Sequence, residues 1–164
     1  EYIRAMSAAE FAEACRPWLE QGPWATGAFD PAVFDRMAPL VQERVKLLSE
    51  VTGMLDFFFV DSPEMDPASW DKAVVKDQGA GGVLASAAGV YEACEWQSEA
   101  IKVATVAAGE SLGRNLRKTQ APIRVAVTGR SVGPPLFESL EVLGRGRSID
   151  RIKAALSRLS SGGK

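Results

Sequence analysis

The 164-residue chain contains no histidine. That absence removes histidine zinc ligands, Ser-His-Asp and Cys-His nucleophile systems, and the commonest general base. Cysteine is scarce: Cys15 and Cys94 lie far apart, each in an apolar helical pattern. They read as buried free thiols of a reducing compartment, with a disulfide or a reactive thiol as the lesser alternatives. No stretch approaches the ~18 apolar residues a membrane helix needs. The longest candidate, Met54 to Val60, is short and carries Asp56. No basic region leads into an apolar run after Glu1, so no secretory leader is read and a cytoplasmic location is expected. A start on Glu1 rather than methionine fits a piece of a longer protein. What is present, 46% hydrophobic and 24% charged residues, suits a soluble globular fold with one ordinary core or two small ones.

The formal net charge of −2 conceals two opposite halves. Residues 1–110 hold 8 Lys+Arg against 18 Asp+Glu, whereas residues 111–164 hold 11 against 3. The basic members are Arg114, Arg117, Lys118, Arg124, Arg130, Arg145, Arg147, Arg151, Lys153, Arg158 and Lys164. Such a split points to a polyanion-facing surface, and arginine suits forked bonding to phosphates and base edges. A basic patch paired with the acidic half of the same molecule is the competing reading.

Turn and capping signals divide the chain into helices. Ser7-Ala8-Ala9-Glu10 is a capping box, followed by Phe11, Ala14, Cys15, Trp18 and Leu19 at helical spacing past Pro17. Asp30-Pro31 starts a second helix, whose stripe of Val33, Phe34, Met37, Leu40, Val41, Val45 and Leu48 predicts a long element kinked at Pro39. Met54 to Val60 reads as a short buried helix. The turn-rich segment from Asp61 to Pro67 ends in another Asp-Pro helix start, at Asp66, and marks a domain joint. Trp70, Ala73 and Val74 then give a short helix, Gly79 to Gly82 an interruption, and Val83 to Glu95 a helix. Ser98 is the expected cap of a helix over Ile101 to Ala108. Pro122 to Val127 has strand-like content, but nothing else in the chain offers a sheet to join and a lone strand is unstable, so a helix is predicted. Pro134-Pro135 opens another helix through Leu143, ended by Gly144. Ser148 is read as the cap of a last helix, Ile149 to Leu159, before a frayed tail, Ser160 to Lys164. The expected fold is all-α: two small helical bundles in series, residues 1–66 and 67–164.

Few segments carry chemistry of their own. Gly144-Arg145-Gly146-Arg147 lacks the preceding strand and the Lys-Ser/Thr of a nucleotide loop and reads as a helix end followed by a basic turn. Asp61, Glu64 and Asp66 match no calcium loop. Trp18, Trp24, Trp70 and Trp96 could stack on bases, but Trp18, Trp70 and Trp96 lie on or beside apolar stripes and are expected in the core. No pair of carboxylates stands at an acid/base spacing.

Three stretches together carry a resemblance. They are Leu40 to Glu50 followed by Asp56-Phe57-Phe58-Phe59; Gln120-Ala121-Pro122-Ile123-Arg124-Val125-Ala126-Val127-Thr128-Gly129; and Gly133-Pro134-Pro135-Leu136-Phe137-Glu138 with Val142-Leu143-Gly144-Arg145. In that order and spacing the chain resembles the C-terminal half of bacterial glutamyl-tRNA synthetases, and Tyr2 to Ser7 is similar to the start of that family's anticodon-stem bundle. The resemblance covers essentially the whole chain; Gln120 to Arg145 is its specific part, and Val83 to Ala108 would fit many proteins.

The resemblance implies a tRNA-binding region without catalysis of its own. The family's class I catalytic domain, with HIGH-like and KMSKS-like motifs, lies upstream, and neither motif occurs here. ATP and Mg would belong to that domain, so no cofactor and no metal is expected in this chain. The implied partner is tRNA(Glu), with tRNA(Gln) left open, bound by a monomer. Arg44 would read the last base of a pyrimidine-U-C anticodon, and Arg124 would lie near the first. Gly133, Pro134 and Leu136 would form a pocket for the middle uracil, with Thr128 close by. Such reading of splayed bases is how single-stranded RNA is usually recognised. Arg130, Arg145 and Arg147 look like phosphate contacts, which position without specifying. A protein-interaction domain using the acidic half and a stand-alone carboxylate enzyme remain the competing classes.

Overall fold

The computed structural model describes residues 2–22, 24 and 27–162, and every regular element among them is helical. The chain divides into two compact units, Glu1–Ser62 with Val132–Pro135 and Pro63–Ser131 with Leu136–Lys164. No described helix is long and apolar enough to cross a membrane.

The first unit is built from α1 (Tyr2–Ala5), α2 (Ala8–Glu20), α3 (Pro31–Gln42) and α4 (Glu50–Leu55). The capping box forms in full: the Glu10 amide donates to Ser7 Oγ at 3.1 Å and the Ser7 amide to Glu10 Oε1 at 3.0 Å. Phe11, Cys15 and Leu19, four residues apart, are the buried face of α2. On α3 the Asp30 side chain accepts from the Ala32 amide at 3.0 Å, and Phe34, Met37, Ala38 and Val41 turn inward. The buried Gln42 amide then donates to the carbonyls of Ile3 and Met6 at 2.9 and 2.8 Å, tying α3 to the end of α1.

The predicted long helix stops at Gln42 rather than continuing to Leu48. Residues 43–49 fold as turns closed by Glu50, whose carboxylate accepts from the amides of Lys46 and Leu47 at 2.6 and 3.2 Å. Those two backbone bonds hold the Glu50 carboxyl below its ordinary value. The expected helix over Met54 to Val60 is the end of α4 followed by a 3-10 turn, Asp56–Phe59, which buries Phe57, Phe58 and Phe59. Phe59 stands 5.0 Å from Trp24 and 5.1 Å from Phe29, ring centre to ring centre. Trp18 departs from the expectation: it is 49% exposed, because the helix buries positions 11, 15 and 19 and leaves it at the margin.

The second unit contains α5 (Pro67–Trp70), a π-helical turn at Asp71–Val75, α6 (Ala80–Ala93), α7 (Ser98–Ser111), α8 (Leu116–Thr128), α9 (Leu136–Leu143) and α10 (Arg145–Ser160). Asp66 caps α5 by accepting from Ser69, amide at 3.0 Å and hydroxyl at 2.7 Å. Trp70, Leu84, Tyr91, Ile101, Ile123, Leu140 and Ile152 are fully buried and form the core. Within it, Thr105 donates its hydroxyl to the Ile101 carbonyl at 2.7 Å, so Tyr91 must donate to Thr105 Oγ1 across 2.6 Å.

Helix boundaries differ from expectation at several places. Gly81 and Gly82 lie inside α6, so the glycines do not interrupt it. Gln97, not Ser98, caps α7, accepting from the Ala100 amide at 3.0 Å, and the helix runs on to Ser111. Ser148 is buried within α10, which begins at Arg145; the basic turn is its first helical turn. Cys94 sits half-buried at the end of α6, whereas Cys15 is buried as expected; both are free thiols. Pro122 to Val127 is helical, as predicted. Of the tail, Ser160 closes α10 and Gly163 and Lys164 lie outside the described residues.

One glycine governs how α8 is seated. A Cβ on Gly109 would stand 2.2 Å from Thr119 Oγ1, so α7 and α8 approach there as only a glycine allows.

Candidate nucleic-acid interface

Helix α8 begins at Asn115, whose side chain accepts from the Lys118 amide at 2.9 Å. Thr119, Ile123, Ala126 and Val127 are buried in the unit. Arg117, Gln120, Ala121 and Arg124, at offsets of three, four and seven, share another face. They line a cleft of about 480 Å³, completed by Ala73, Leu116 and Ser131. Its polar wall is the side chains of Arg117, Gln120 and Arg124, spread over about 10 Å of helix, with the Ser131 hydroxyl beyond the helix end and no carboxylate among the described lining residues. Such a surface attracts an anionic chain and offers donors for base edges.

Of the residues expected from sequence, only Arg124 lines this cleft. Thr128 is buried and works on the backbone: its hydroxyl donates to the Arg124 carbonyl at 2.8 Å and accepts from the Arg130 amide at 3.2 Å. Gly129 follows in the left-handed region, φ 81°. Its carbonyl accepts from the Asp66 amide at 2.8 Å, and a Cβ there would strike the Glu64 carbonyl at 2.2 Å. Half-buried Arg130 adds a positive charge that helps to hold the Asp66 carboxyl below its ordinary value, after the two Ser69 hydrogen bonds.

Gly133 and Pro134 are buried residues of a loop, Val132–Pro135, that belongs to the first unit, whereas Leu136 is the buried first residue of α9 in the second. Arg44 lies in the first unit, in the turns after α3. It is exposed, and its guanidinium meets no partner among the described residues. Its place is set by its own amide, which donates to the Val41 carbonyl at 2.9 Å, and by Arg4, which donates to the neighbouring Glu43 carbonyl at 3.1 Å.

The basic half of the sequence is partly spent inside the second unit. Arg145 donates to the carbonyls of Tyr91 and Cys94 at 3.1 and 2.5 Å, closing the end of α6, and its guanidinium lies 5.5 Å from the Trp96 ring centre. Arg151 is buried and donates to the Val127 carbonyl at 2.8 Å. Arg114 pairs with Asp77, Lys153 with Glu92 at 3.3 Å, and Arg158 lies over the Trp70 ring at 4.7 Å. Arg117 and Lys118 stay exposed on α8, and Arg147 on the first turn of α10.

Arg117, Gln120 and Ser131 were missed as site residues by sequence reasoning. The signal was available in the spacing of Arg117, Gln120 and Arg124 once α8 is taken to start at Leu116. Among the described residues no group of three or more His, Cys, Asp or Glu could hold a metal ion.

Comparison with known proteins supplies the family. Glutamate–tRNA ligase of Streptomyces coelicolor is 49% identical over 164 residues, covering 98% of this chain and 33% of that protein. The Thermobifida fusca glutamate–tRNA ligase is 46% identical over 167 residues, covering all of this chain and 35% of its own length. The chain thus spans about a third of the length of these relatives. A crystal structure of a glutamate tRNA ligase from Elizabethkingia meningosepticum superposes with a TM-score of 0.80 at 20% identity, over 96% of this chain and 30% of that one. It shares the helical fold. The anticodon binding domain model matches residues 10–156, so the chain belongs to the anticodon-binding domain family.

Proposed function

We propose that this chain is the anticodon-binding region of a glutamate–tRNA ligase and that it grips the anticodon arm of tRNA(Glu). The observation that carries the reading is the cleft on α8, where Arg124 and Arg117 stand on one helix face with no carboxylate among the described lining residues, in a chain matched by the anticodon-binding family. Residues 1–66 form the stem-side bundle and residues 67–164 the bundle that takes the loop. Arg44 reads the last anticodon base. Its guanidinium, on a turn that Glu50 closes and without a partner among the described residues, suits the exposed acceptors of cytosine, whereas guanine, the last base of glutamine anticodons, presents a different edge and a larger volume. Arg124 reads the first base. Gly133, Pro134 and Leu136 take the middle uracil, and Thr128 fixes the backbone turn between Arg124 and Arg130.

Arg130 and Arg147 neutralise phosphates; Arg145, committed to the end of α6, contributes charge from a fixed position. Glutamate activation with ATP and Mg, and its transfer to the tRNA, belong to the catalytic part of the whole ligase, a cytoplasmic enzyme.

Binding of the chain to anticodon stem-loop RNA, with each anticodon base varied in turn and at two salt concentrations, tests the reading. Affinity should fall steeply with salt, since phosphate neutralisation releases counterions. Arg44→Ala and Arg124→Ala should each cost ~1–3 kcal/mol and relax preference at one base only. Equal losses on every anticodon would reduce both arginines to charge contacts and sink the assignment of base reading.

A further inference from the structure

Arg44 is an exposed side chain on a loop, and what holds it is the backbone beneath it. Residues 43–49, between α3 and α4, form turns rather than helix. Three anchors fix them, all within the first unit. At the start, Gln42 is tied to the Ile3 and Met6 carbonyls, and Arg4 to that of Glu43. In the middle, Val45 is buried and its amide donates to the Val41 carbonyl at 3.2 Å, beside the Arg44 amide on the same oxygen. At the end stands Glu50. Its carboxylate takes both the Lys46 and the Leu47 amide on a single oxygen, Oε2, and its own amide donates to the Leu47 carbonyl at 3.1 Å. Both backbone groups of Leu47 are thus bonded to one residue.

The side chains that face outward from these turns include Glu43, Arg44, Lys46 and Leu47, all exposed. A guanidinium fork tells one base edge from another only when it is held within about 0.5 Å and 10–20° of its target geometry. No hydrogen bond, ion pair or ring contact among the described residues steadies the Arg44 head. The aim of the fork is therefore set by the course of its backbone. Gln42, Arg4 and Val45 fix where the chain leaves α3; only Glu50 closes its return into α4, whose Val51 and Leu55 are buried. Without that closure the Lys46 and Leu47 amides turn to water and the segment is free to take other turns. No ion pair joins Glu50 to Arg44, so the carboxylate acts on the guanidinium through the backbone.

We propose that Glu50 is a positioning residue for base reading: by holding the Lys46 and Leu47 amides on one carboxylate oxygen, it fixes the turn from which Arg44 meets the last anticodon base. The proposal rests on the RNA-binding reading above and deepens it. Reach, not charge, is the property it needs. A glutamine places its carbonyl oxygen where Oε2 stands and accepts both amides. An aspartate keeps the negative charge at the start of α4 but falls one methylene short of them.

The test is the affinity of the full chain for anticodon stem-loop RNAs that differ only in the last anticodon base, C against G, with a second set varied only at the first base as an internal control. Glu50→Ala and Glu50→Asp should each lower the preference for C by roughly tenfold, the scale of one lost paired base contact, and leave the first-base preference of Arg124 unchanged. Glu50→Gln should retain both preferences. In a chain that already carries Arg44→Ala, Glu50→Asp should change nothing further at the last base, because one residue acts through the other. Urea unfolding shows that each variant is folded, and Glu50→Asp carries the test where Glu50→Ala does not fold. Preference kept by Glu50→Asp but lost by Glu50→Gln would make the effect one of charge and overturn the proposal. So would an equal loss on every RNA, or no loss at all, while Arg44→Ala still relaxes the last base; the RNA-binding reading would then stand. No preference for C over G in the unmodified protein would remove the role given to Arg44, and this proposal with it.

Discussion

Replacing Gly109 by alanine tests whether the close crossing of α7 and α8 is what seats the arginine-bearing helix. The added Cβ would lie 2.2 Å from Thr119 Oγ1, 3.1 Å from its Cβ and 3.2 Å from its Cγ2. Rotating the threonine side chain can turn its Hβ toward the added methyl but leaves its Cβ in place, and it breaks the 2.8 Å bond from Oγ1 to the Asn115 carbonyl. The overlap should cost ~1–3 kcal/mol, offset in part by the ~1 kcal/mol that alanine gains over glycine inside a helix. A net loss of about 1 to 2 kcal/mol is expected, with amide exchange quickened along α7 and α8 before other helices. Thr119→Ala in the same chain removes the colliding atoms, so the double variant should recover most of the loss, a coupling of about 1–2 kcal/mol in urea unfolding. RNA affinity should follow stability: reduced in the single variant and regained in the double. Strictly additive costs would show that the helices are not in contact at Gly109, and the account of how α8 is held would fail.

Arg145→Ala separates a structural arginine from a phosphate contact. Removing its bonds to the Tyr91 and Cys94 carbonyls and its place on Trp96 should destabilise the second unit by ~1–2 kcal/mol, with a smaller change in the salt slope of RNA binding than Arg117→Ala gives. A full unit of salt slope lost without loss of stability would assign Arg145 to phosphate instead. Burial pushes the Cys15 thiol up to about 11 from its ordinary 9.0. The fold therefore favours the neutral thiol, a contribution fully present below pH 9 that is lost as pH rises toward 11. Chemical unfolding across that range should show stability falling, and Cys15→Ala should flatten the decline; an unchanged slope would place the alkaline sensitivity elsewhere.

Most of the fold was legible because local chemistry and packing agree. The capping box at Ser7 and Glu10, the Asp-Pro starts at Asp30 and Asp66, and the helical nature of Pro122 to Val127 all follow from side chains bonding the nearest backbone. The misread boundaries share a different cause. At Gly81 and Gly82 helix contacts override low propensity: a Cβ on Gly81 would already touch Leu159. The α10 start was placed at Ser148, yet Arg145 already lies in the helix, its side chain bonded to carbonyls 51 and 54 residues away. Trp18 looked like core because it continued an apolar stripe, yet the four-residue ladder of Phe11, Cys15 and Leu19 fills the buried face without it. Each error comes from a contact distant in sequence.

The candidate site was legible by type more than by residue. A count of charges cannot tell a guanidinium facing solvent from one closing a helix end, and here the basic segment does both. Arg114, Arg145, Arg151, Lys153 and Arg158 are engaged with Asp77, backbone carbonyls, Glu92 or an aromatic ring of their own unit. The competing reading, a basic patch paired with the acidic half of the same molecule, is therefore correct for Arg114 and Lys153 and fails for Arg117 on its cleft, while Arg145, Arg151 and Arg158 are engaged by carbonyls or a ring rather than by acids. What distinguishes Arg117 is geometry along a helix: with Gln120 and Arg124 it repeats on a face that no core residue of α8 occupies. Net charge gave the chemistry of a partner; only the placement of α8 says which side chains are left to meet it.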